Sequence, residues 1–174
     1  MILKQGFYIL GHVTNLDFGK ALDPQVKFAS WYLICNIAVM DILIHKFVYQ
    51  IMLAYVQDAL PLEACGLLAG RDNLITHIYI IDNVLRSPVE FEMDAQQQIE
   101  AMLHVEAQGL ELIAAFHSHP MGPQTPSQKD VARAYYPEMA QIIVSLAKQS
   151  YPSGRAFSII DKKISELQIV VIDR

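Results

Sequence analysis

The sequence predicts an α/β or α+β fold built on a mixed sheet, and three observations support this. Strand-like apolar segments interleave with segments whose apolar residues recur at helical spacing. The chain has 174 residues, the size of one compact domain. Hydrophobic residues make up 53% and charged residues 18% of it, so it can bury a core without disulfides and is too apolar to be disordered.

The first half of the domain is predicted to contain three strands and one helix. Alternation predicts a strand over 41–45, and helical spacing predicts a helix over 46–59 that Pro61 ends. A buried strand over 64–70 ends in a glycine turn. The β-branched segment 74–84, bounded by two Asp-Asn pairs, is predicted to be the next strand.

The second half is predicted to contain two further helices and four strands. Asp94 is a plausible N-cap for a helix over 95–108, and a buried strand follows over 110–116. A loop rich in Gly, Pro and Thr leads to a helix over 127–136. Three closing strands complete the domain, over 141–147, 156–161 and 167–172.

Residues 1–39 show no sustained period, and the regular pattern starts just after Met40. Two interpretations stay open. Met40 is the biological start and 1–39 is an upstream in-frame extension, or 1–39 is an arm that packs its aromatic residues on the domain. The expected division is therefore an extension over 1–39 and a domain over 40–174. A native peptide spanning Val39 and Met40 would contradict the first interpretation.

Composition also excludes several classes of protein. The longest uncharged apolar run, 28–40, is too short to span a bilayer, and no signal-peptide pattern is found, so a cytoplasmic location is expected. The 13 basic and 18 acidic residues argue against a nucleic-acid partner. The two cysteines, Cys35 and Cys65, form neither a disulfide framework nor a Cys-x-x-Cys zinc site.

A His-Ser-His-Pro segment, 117–120, ends a predicted strand. Side chains alternate along a strand, so His117 and His119 project to the same side, about 6.5–7 Å apart along it. Two such imidazoles can converge on one zinc ion at about 2.0–2.1 Å. Pro120 stops the strand and leaves both rings at the end of a sheet. By itself, however, His-x-His is more often a pair of packed polar residues.

Ser127 and Asp130 lie three residues apart on a predicted helix and so share a face. The preceding loop can turn this helix over the histidines. Asp130 would then complete a set of three ligands with a fourth position open, the pattern of a catalytic zinc. The same Ser-x-x-Asp pattern also matches a capping box, which is a purely structural helix start.

Glu63 is the only acid between Ala59 and Gly70, at the mouth of an apolar strand where a charge is costly without a role or a partner. A metal hydrolase needs a base beside the metal-bound water, which makes Glu63 the candidate. The alternative is a simple carboxylate at a helix-to-strand junction. The conjunction of these motifs favours the functional interpretation of all of them.

These motifs together resemble the signature of the JAMM (MPN+) metalloproteases, in particular their short single-domain prokaryotic members. The matching segments are EACGLLAG at 63–70, HSHP at 117–120 and SQKD at 127–130. The resemblance covers about 40–174 and fills every motif position. Further features of the short members are Asp82-Asn83, Ser87-Pro88 and the stretch 90–94. Residues 1–39 match nothing in the family pattern, which favours the Met40 start.

The resemblance implies a JAMM/MPN (cytidine-deaminase-like) architecture, with a curved mixed sheet flanked by helices. It implies a zinc metallopeptidase with one Zn²⁺ per chain, held by His117, His119 and Asp130. Glu63 would act as general base towards a zinc-activated water, and Ser127 would donate a hydrogen bond to the developing oxyanion. No covalent intermediate is needed.

By the same resemblance, the enzyme cuts the bond after the C-terminal Gly-Gly of a ubiquitin-like or sulfur-carrier protein. The candidate walls for this tail are the strand 74–84 and the loop 86–93. No nucleic acid or membrane partner is expected, and a homodimer is left open. Whether the bond that is cut is a peptide bond, an isopeptide bond or the bond to a cysteine adduct is also left open. The alternatives are a catalytically silent MPN scaffold, which would typically have lost a ligand or the glutamate, and a DNA-repair-associated relative, against which the acidic charge counts.

Overall fold

Eight strands and three helices make up the part of the chain that the computed structural model describes, residues 41–147 and 152–173. Residues 1–39, with their two interpretations, lie outside it. Within it, no helix is long and apolar enough to cross a membrane. In chain order the elements are β1 (Ile42–His45), α1 (Lys46–Asp58), β2 (Cys65–Arg71), β3 (Leu74–Ile81), α2 (Ala95–Ala107), β4 (Glu111–His119), α3 (Gln128–Ala132), β5 (Ala140–Ser145), β6 (Ser153–Ile160), β7 (Lys163–Leu167) and β8 (Ile169–Ile172).

The strands form one mixed sheet in the order β7-β6-β5-β4-β2-β3-β1-β8. β2 runs antiparallel to both β3 and β4, whereas β4 and β5 are parallel, as are β1 and its two neighbours. The sheet curves strongly, since a β-carbon placed on Gly154 of β6 would lie 3.6 Å from Cδ1 of Ile169 in β8. The predicted mixed, curved sheet is therefore present.

Helices α1 and α2 cover opposite faces of this sheet. Leu68 belongs to the core under α1 and its neighbour Leu67 to the core under α2, because successive strand residues point to opposite faces. The apolar face of α1 is buried at a regular spacing of four residues, by Val48, Met52 and Val56. Both helices thus bury an apolar stripe against the sheet, and neither covers the end of β4.

Several boundaries differ by a few residues from those predicted, and three of the differences change how the elements are arranged. β4 continues to His119, because β5 pairs with it as far as the His119–Ser145 position. α3 ends at Ala132 rather than four residues later, and Arg133 leaves the helical conformation there. The last predicted strand is divided at Gln168, and the exposed segment before it pairs with β6 as the additional strand β7.

Candidate active site

Three predicted ligands meet at the end of the sheet. β4 carries His117 and His119, whose Nε2 atoms are 3.0 Å apart. α3 carries Asp130, whose Oδ1 lies 3.4 Å from Nε2 of His117 and whose Oδ2 lies 3.5 Å from Nε2 of His119. The ligand atoms of a tetrahedral zinc ion with bonds of about 2.0–2.1 Å are about 3.3 Å apart. The three side chains are therefore close enough together to hold one such ion.

The two imidazoles are oriented by different means. Nδ1 of His119 lies 2.6 Å from the carbonyl oxygen of Pro123. A carbonyl only accepts, so Nδ1 carries the proton and the Nε2 lone pair faces the cluster. His117 is fully buried, and the ring of Phe91 stacks on it with centroids 4.6 Å apart. Its Nδ1 has no hydrogen-bond partner among the described residues, so this ring is oriented by packing and by the contact of its Nε2 with Asp130.

Burial lowers the pKa of His117 and so favours the neutral imidazole, the form that binds a metal. In His119, burial acts in the same direction, but hydrogen bonds to Asp130 and to the Pro123 carbonyl outweigh it and raise the pKa. In the protein without metal, some electropositive atom has to lie between these groups, because two nitrogen lone pairs cannot face each other at 3.0 Å. A proton shared by the two Nε2 atoms satisfies this requirement.

Asp130 belongs to the helix cap and to the cluster at the same time. The N–H of Ser127 donates to Oδ2 of Asp130 at 2.6 Å, and the N–H of Asp130 donates to Oγ of Ser127 at 3.2 Å, which completes a capping box. Burial acts to raise the pKa of the Asp130 carboxyl. Hydrogen bonds from His117 and His119 outweigh burial and hold the pKa well below its usual range. The group is therefore an anionic ligand at neutral pH.

Glu63 lies immediately before β2 and is only 6% exposed. β2 pairs with β4 in a register that places Cys65 opposite His117, so Glu63 falls opposite His119. Burial raises the pKa of Glu63 to about 7, with His119 opposing the rise and Asp130 reinforcing it. A carboxyl group with this pKa can accept and release a proton near neutral pH.

A cleft of about 360 Å³ is lined by four of these residues, His119, Asp130, Glu63 and Ser127. One wall is the segment 88–91 and the other is the segment 121–126, each with an exposed apolar residue at the rim, Val89 and Met121. The predicted wall over 86–93 contributes residues 88–91 to this cleft, whereas no residue of the predicted wall over 74–84 lines it. The surfaces that hold the substrate tail stay a prediction.

Residues 45–160 match the family model of the prokaryotic homologs of the JAB domain, Prok-JAB. The chain belongs to this family. The Prok-JAB domain is 39% identical over 110 residues to the desampylase of Pyrococcus furiosus, covering 63% of this chain and 76% of that protein. It is 29% identical over 126 residues to the CysO-cysteine peptidase of Mycobacterium tuberculosis, covering 71% and 86%.

A solution structure of a protein from Desulfitobacterium hafniense is similar to the Prok-JAB domain, with a TM-score of 0.70 and 33% identity over 76% of this chain and 93% of that one. The predicted family and fold class are thereby confirmed. The named relatives are peptidases, which also confirms the prediction of a hydrolase. The roles of Glu63, Ser127 and the three-ligand set stay predictions.

An ion-pair cluster that the sequence analysis missed joins the two sides of the Prok-JAB site. Glu90 in one cleft wall accepts hydrogen bonds from Lys129 at 2.6 Å and from Arg133 at 2.7 Å. Lys129 precedes Asp130 in α3 and Arg133 follows the end of this helix. Arg133 also donates to the carbonyl of Phe91 at 3.3 Å. The motif stretch 90–94 was the available signal, but its partners 39 and 43 residues away are not visible in a local pattern.

Proposed function

We propose that this Prok-JAB domain is a zinc metallopeptidase and isopeptidase that hydrolyses the bond after the C-terminal Gly-Gly of a ubiquitin-like or sulfur-carrier protein, acting in the cytoplasm. The observation that carries the proposal is the convergence of His117, His119 and Asp130, with nitrogen and oxygen atoms 3.0–3.5 Å apart, beside the cleft that Glu63 borders. The relatives named desampylase and CysO-cysteine peptidase support the class of reaction and substrate.

His117, His119 and Asp130 would hold one Zn²⁺, because two neutral imidazoles and one carboxylate are a usual ligand set for catalytic zinc. When bound, zinc lowers the pKa of a coordinated water to about 7 and polarises the carbonyl to be cleaved. The Nδ1–H bond to Pro123 keeps the His119 ring in the tautomer that this role requires.

Glu63 would take the proton from the attacking water and deliver it to the amine that leaves. Its pKa of about 7 suits both transfers, since a general base works best when its pKa lies near the working pH. Ser127 lines the same cleft, and its Oγ accepts from the Asp130 N–H. The hydroxyl proton is not used in that bond, so Ser127 can donate it to the oxyanion that develops on the substrate.

Two buried nucleophiles beside the cluster, Cys65 and Ser118, are not suited to form an acyl-enzyme. Cys65 is fully buried, and burial raises the pKa of its thiol to about 12, so the thiolate is not formed at neutral pH. Ser118 is also fully buried, and its hydroxyl is bonded to the backbone of Ala64. Direct attack of water is therefore the reaction that the described residues support.

Conjugates of defined chemistry test the proposal. A sulfur-carrier protein from the same genome is joined through its C-terminal glycine either to a lysine Nε or to the α-amine of cysteine, and a matched conjugate ends in Ala-Ala. The zinc-loaded enzyme should cut at least one Gly-Gly conjugate, read by product mass, and spare the Ala-Ala control. Glu63→Gln should bind about one zinc per chain and show no turnover. Intact Gly-Gly conjugates with the wild-type enzyme would refute the function, and full activity of Glu63→Gln would refute the role of that residue.

A further inference from the structure

The peptide group that joins Glu63 to Ala64 is held on both sides by side chains. Nδ2 of Asn83 donates to the Glu63 carbonyl at 3.0 Å. The N–H of Ala64 donates to Oγ of Ser118 at 2.8 Å, and Ser118 is fully buried. The N–H of Glu63 itself donates to the carbonyl of Ser87 at 2.9 Å. Glu63 precedes β2, so these bonds take the place of a regular strand ladder.

Asn83 uses its whole amide for this purpose. Nδ2 also donates to the carbonyl of Glu90 at 3.1 Å, while Oδ1 accepts from the N–H groups of Leu85 and Glu92, both at 3.1 Å. Both donors face carbonyls and both acceptor positions face N–H groups, which fixes the orientation of the amide. Aspartate is nearly isosteric but has no donors. It would still accept from the N–H groups of Leu85 and Glu92 and would lose both bonds to carbonyls.

Ser118 links the Glu63 segment directly to the histidine pair. It stands between His117 and His119 in β4, and its backbone N–H donates to the carbonyl of Ala64 at 2.9 Å, beside the side-chain bond to the Ala64 N–H. Two bonds between the same two residues restrict sliding and rotation of one segment against the other. The distance from the Glu63 backbone to the histidines is therefore fixed at one point of the sheet.

Asn83 links the Glu63 segment to the third ligand by a different route. Its bond to the Glu90 carbonyl holds the residue whose carboxylate pairs with Lys129 and Arg133. Lys129 is the neighbour of Asp130 in α3, and Arg133 caps the end of the same helix. The Glu63 carbonyl and the helix that carries Asp130 are thus connected through one loop residue.

We propose that Asn83 and Ser118 are positioning residues that hold Glu63 in register with the three ligands. The proposal rests on the proposed function, in which Glu63 is the base. A buried carboxylate gains hydration by moving outwards, and Glu63 has no strand ladder to prevent this. The two side chains oppose that movement at the peptide group next to the catalytic side chain, where a small displacement has a large effect on proton transfer.

Kinetics of matched variants test the proposal on the Gly-Gly conjugate. Asn83→Asp and Ser118→Ala should lower kcat about 10- to 100-fold, the usual effect of removing an orienting partner, with KM within about twofold of wild type. Zinc content should stay at one per chain. Ser118→Thr keeps the hydroxyl and should recover most of the rate. Val48→Ala in the core under α1 controls for stability loss, and its folded enzyme should keep the wild-type kcat. A kcat for the Asn83 and Ser118 variants equal to that of Val48→Ala would overturn the proposal.

Amide hydrogen exchange separates this proposal from the function on which it rests. If the wild-type enzyme cuts no conjugate, the proposed function is refuted. The bonds from Asn83 and Ser118 to the Glu63–Ala64 peptide group can still be measured on the zinc-loaded protein. In Asn83→Asp and Ser118→Ala, exchange of the Ala64 N–H should accelerate at least tenfold more than exchange of the Leu68 N–H further along β2. Equal acceleration at both amides, or none at Ala64, would overturn the positioning role.

Discussion

Replacing Glu63 by glutamine is expected to stabilise the metal-free protein at alkaline pH. Burial raises the pKa of this carboxyl from an ordinary value of 4.5 to about 7. Below pH 4.5 the Glu63 carboxyl is protonated in both the folded and the unfolded state, so it does not make the free energy of unfolding depend on pH. Between pH 4.5 and 7 the unfolded chain loses the proton while the folded protein keeps it, so the free energy of unfolding falls as pH rises. Above pH 7 the carboxyl is ionised in both states, and the free energy of unfolding has fallen by about 3 kcal/mol in total.

Glutamine is nearly isosteric with the protonated acid and does not titrate, so the variant escapes this loss. Urea unfolding in the presence of a chelator, at steps from pH 4.5 to 8, measures the effect. The stability difference between Glu63→Gln and wild type should be near zero at pH 4.5 and reach about 2–3 kcal/mol at pH 8. The exposed Glu138→Gln provides the control and should show no such trend. A difference for Glu63→Gln that does not change with pH would refute the reasoning, because burial would then not favour the protonated acid.

Three further predictions concern the metal, the helix cap and the sheet. His117→Ala should lower the zinc content measured by atomic emission from about one per chain to near zero, and chelation of the wild type should abolish activity reversibly; zinc retained at wild-type affinity in the variant would contradict the ligand set. Ser127→Gly and Ser127→Ala both remove the hydroxyl and should slow turnover equally, by about 10²–10³-fold, although only alanine weakens the cap, by about 1 kcal/mol; a clear difference in kcat would argue against the oxyanion role. Gly66→Ala should lower the thermal midpoint, because its β-carbon would lie 2.3 Å from the Tyr79 carbonyl oxygen and 2.5 Å from Cε1 of Phe116; an unchanged midpoint would contradict the packing at this position.

Local patterns were sufficient for most of the fold because most elements bury a regular apolar face. β7 lacks this signal. Its residues are largely exposed at the edge of the sheet, and it exists because the turn at Asp161 and Lys162, both with positive φ, returns the chain onto β6. α3 is shorter than its sequence predicts, since Arg133 leaves the helix and pairs with Glu90, 43 residues earlier. Neither an exposed edge strand nor a distant ion pair produces a periodic pattern of apolar residues in the sequence.

The candidate site divides in the same way. Its three candidate ligands could be placed from sequence, because each lies at a local feature: a strand end for the histidines and a helix start for Asp130. The residues that hold Glu63 could not be assigned roles. Asn83 reaches a carbonyl 20 residues away and Ser118 an N–H 54 residues away. Such bonds depend on which backbone groups the sheet brings together. The register of strand pairing decides this, and it cannot be derived from local sequence patterns.

The capping box and the metal ligand were two competing interpretations of Ser127 and Asp130, and the structure shows why they are compatible. Asp130 has two carboxylate oxygens: Oδ2 accepts the N–H of Ser127, while Oδ1 faces His117. The cap therefore fixes the rotation of the carboxylate before any ion binds. Because the Pro123 carbonyl fixes His119 in the same way, little side-chain freedom remains to be lost on binding. A three-residue cluster shared between a strand end and a short helix can thus be pre-organised by bonds that the fold needs in any case.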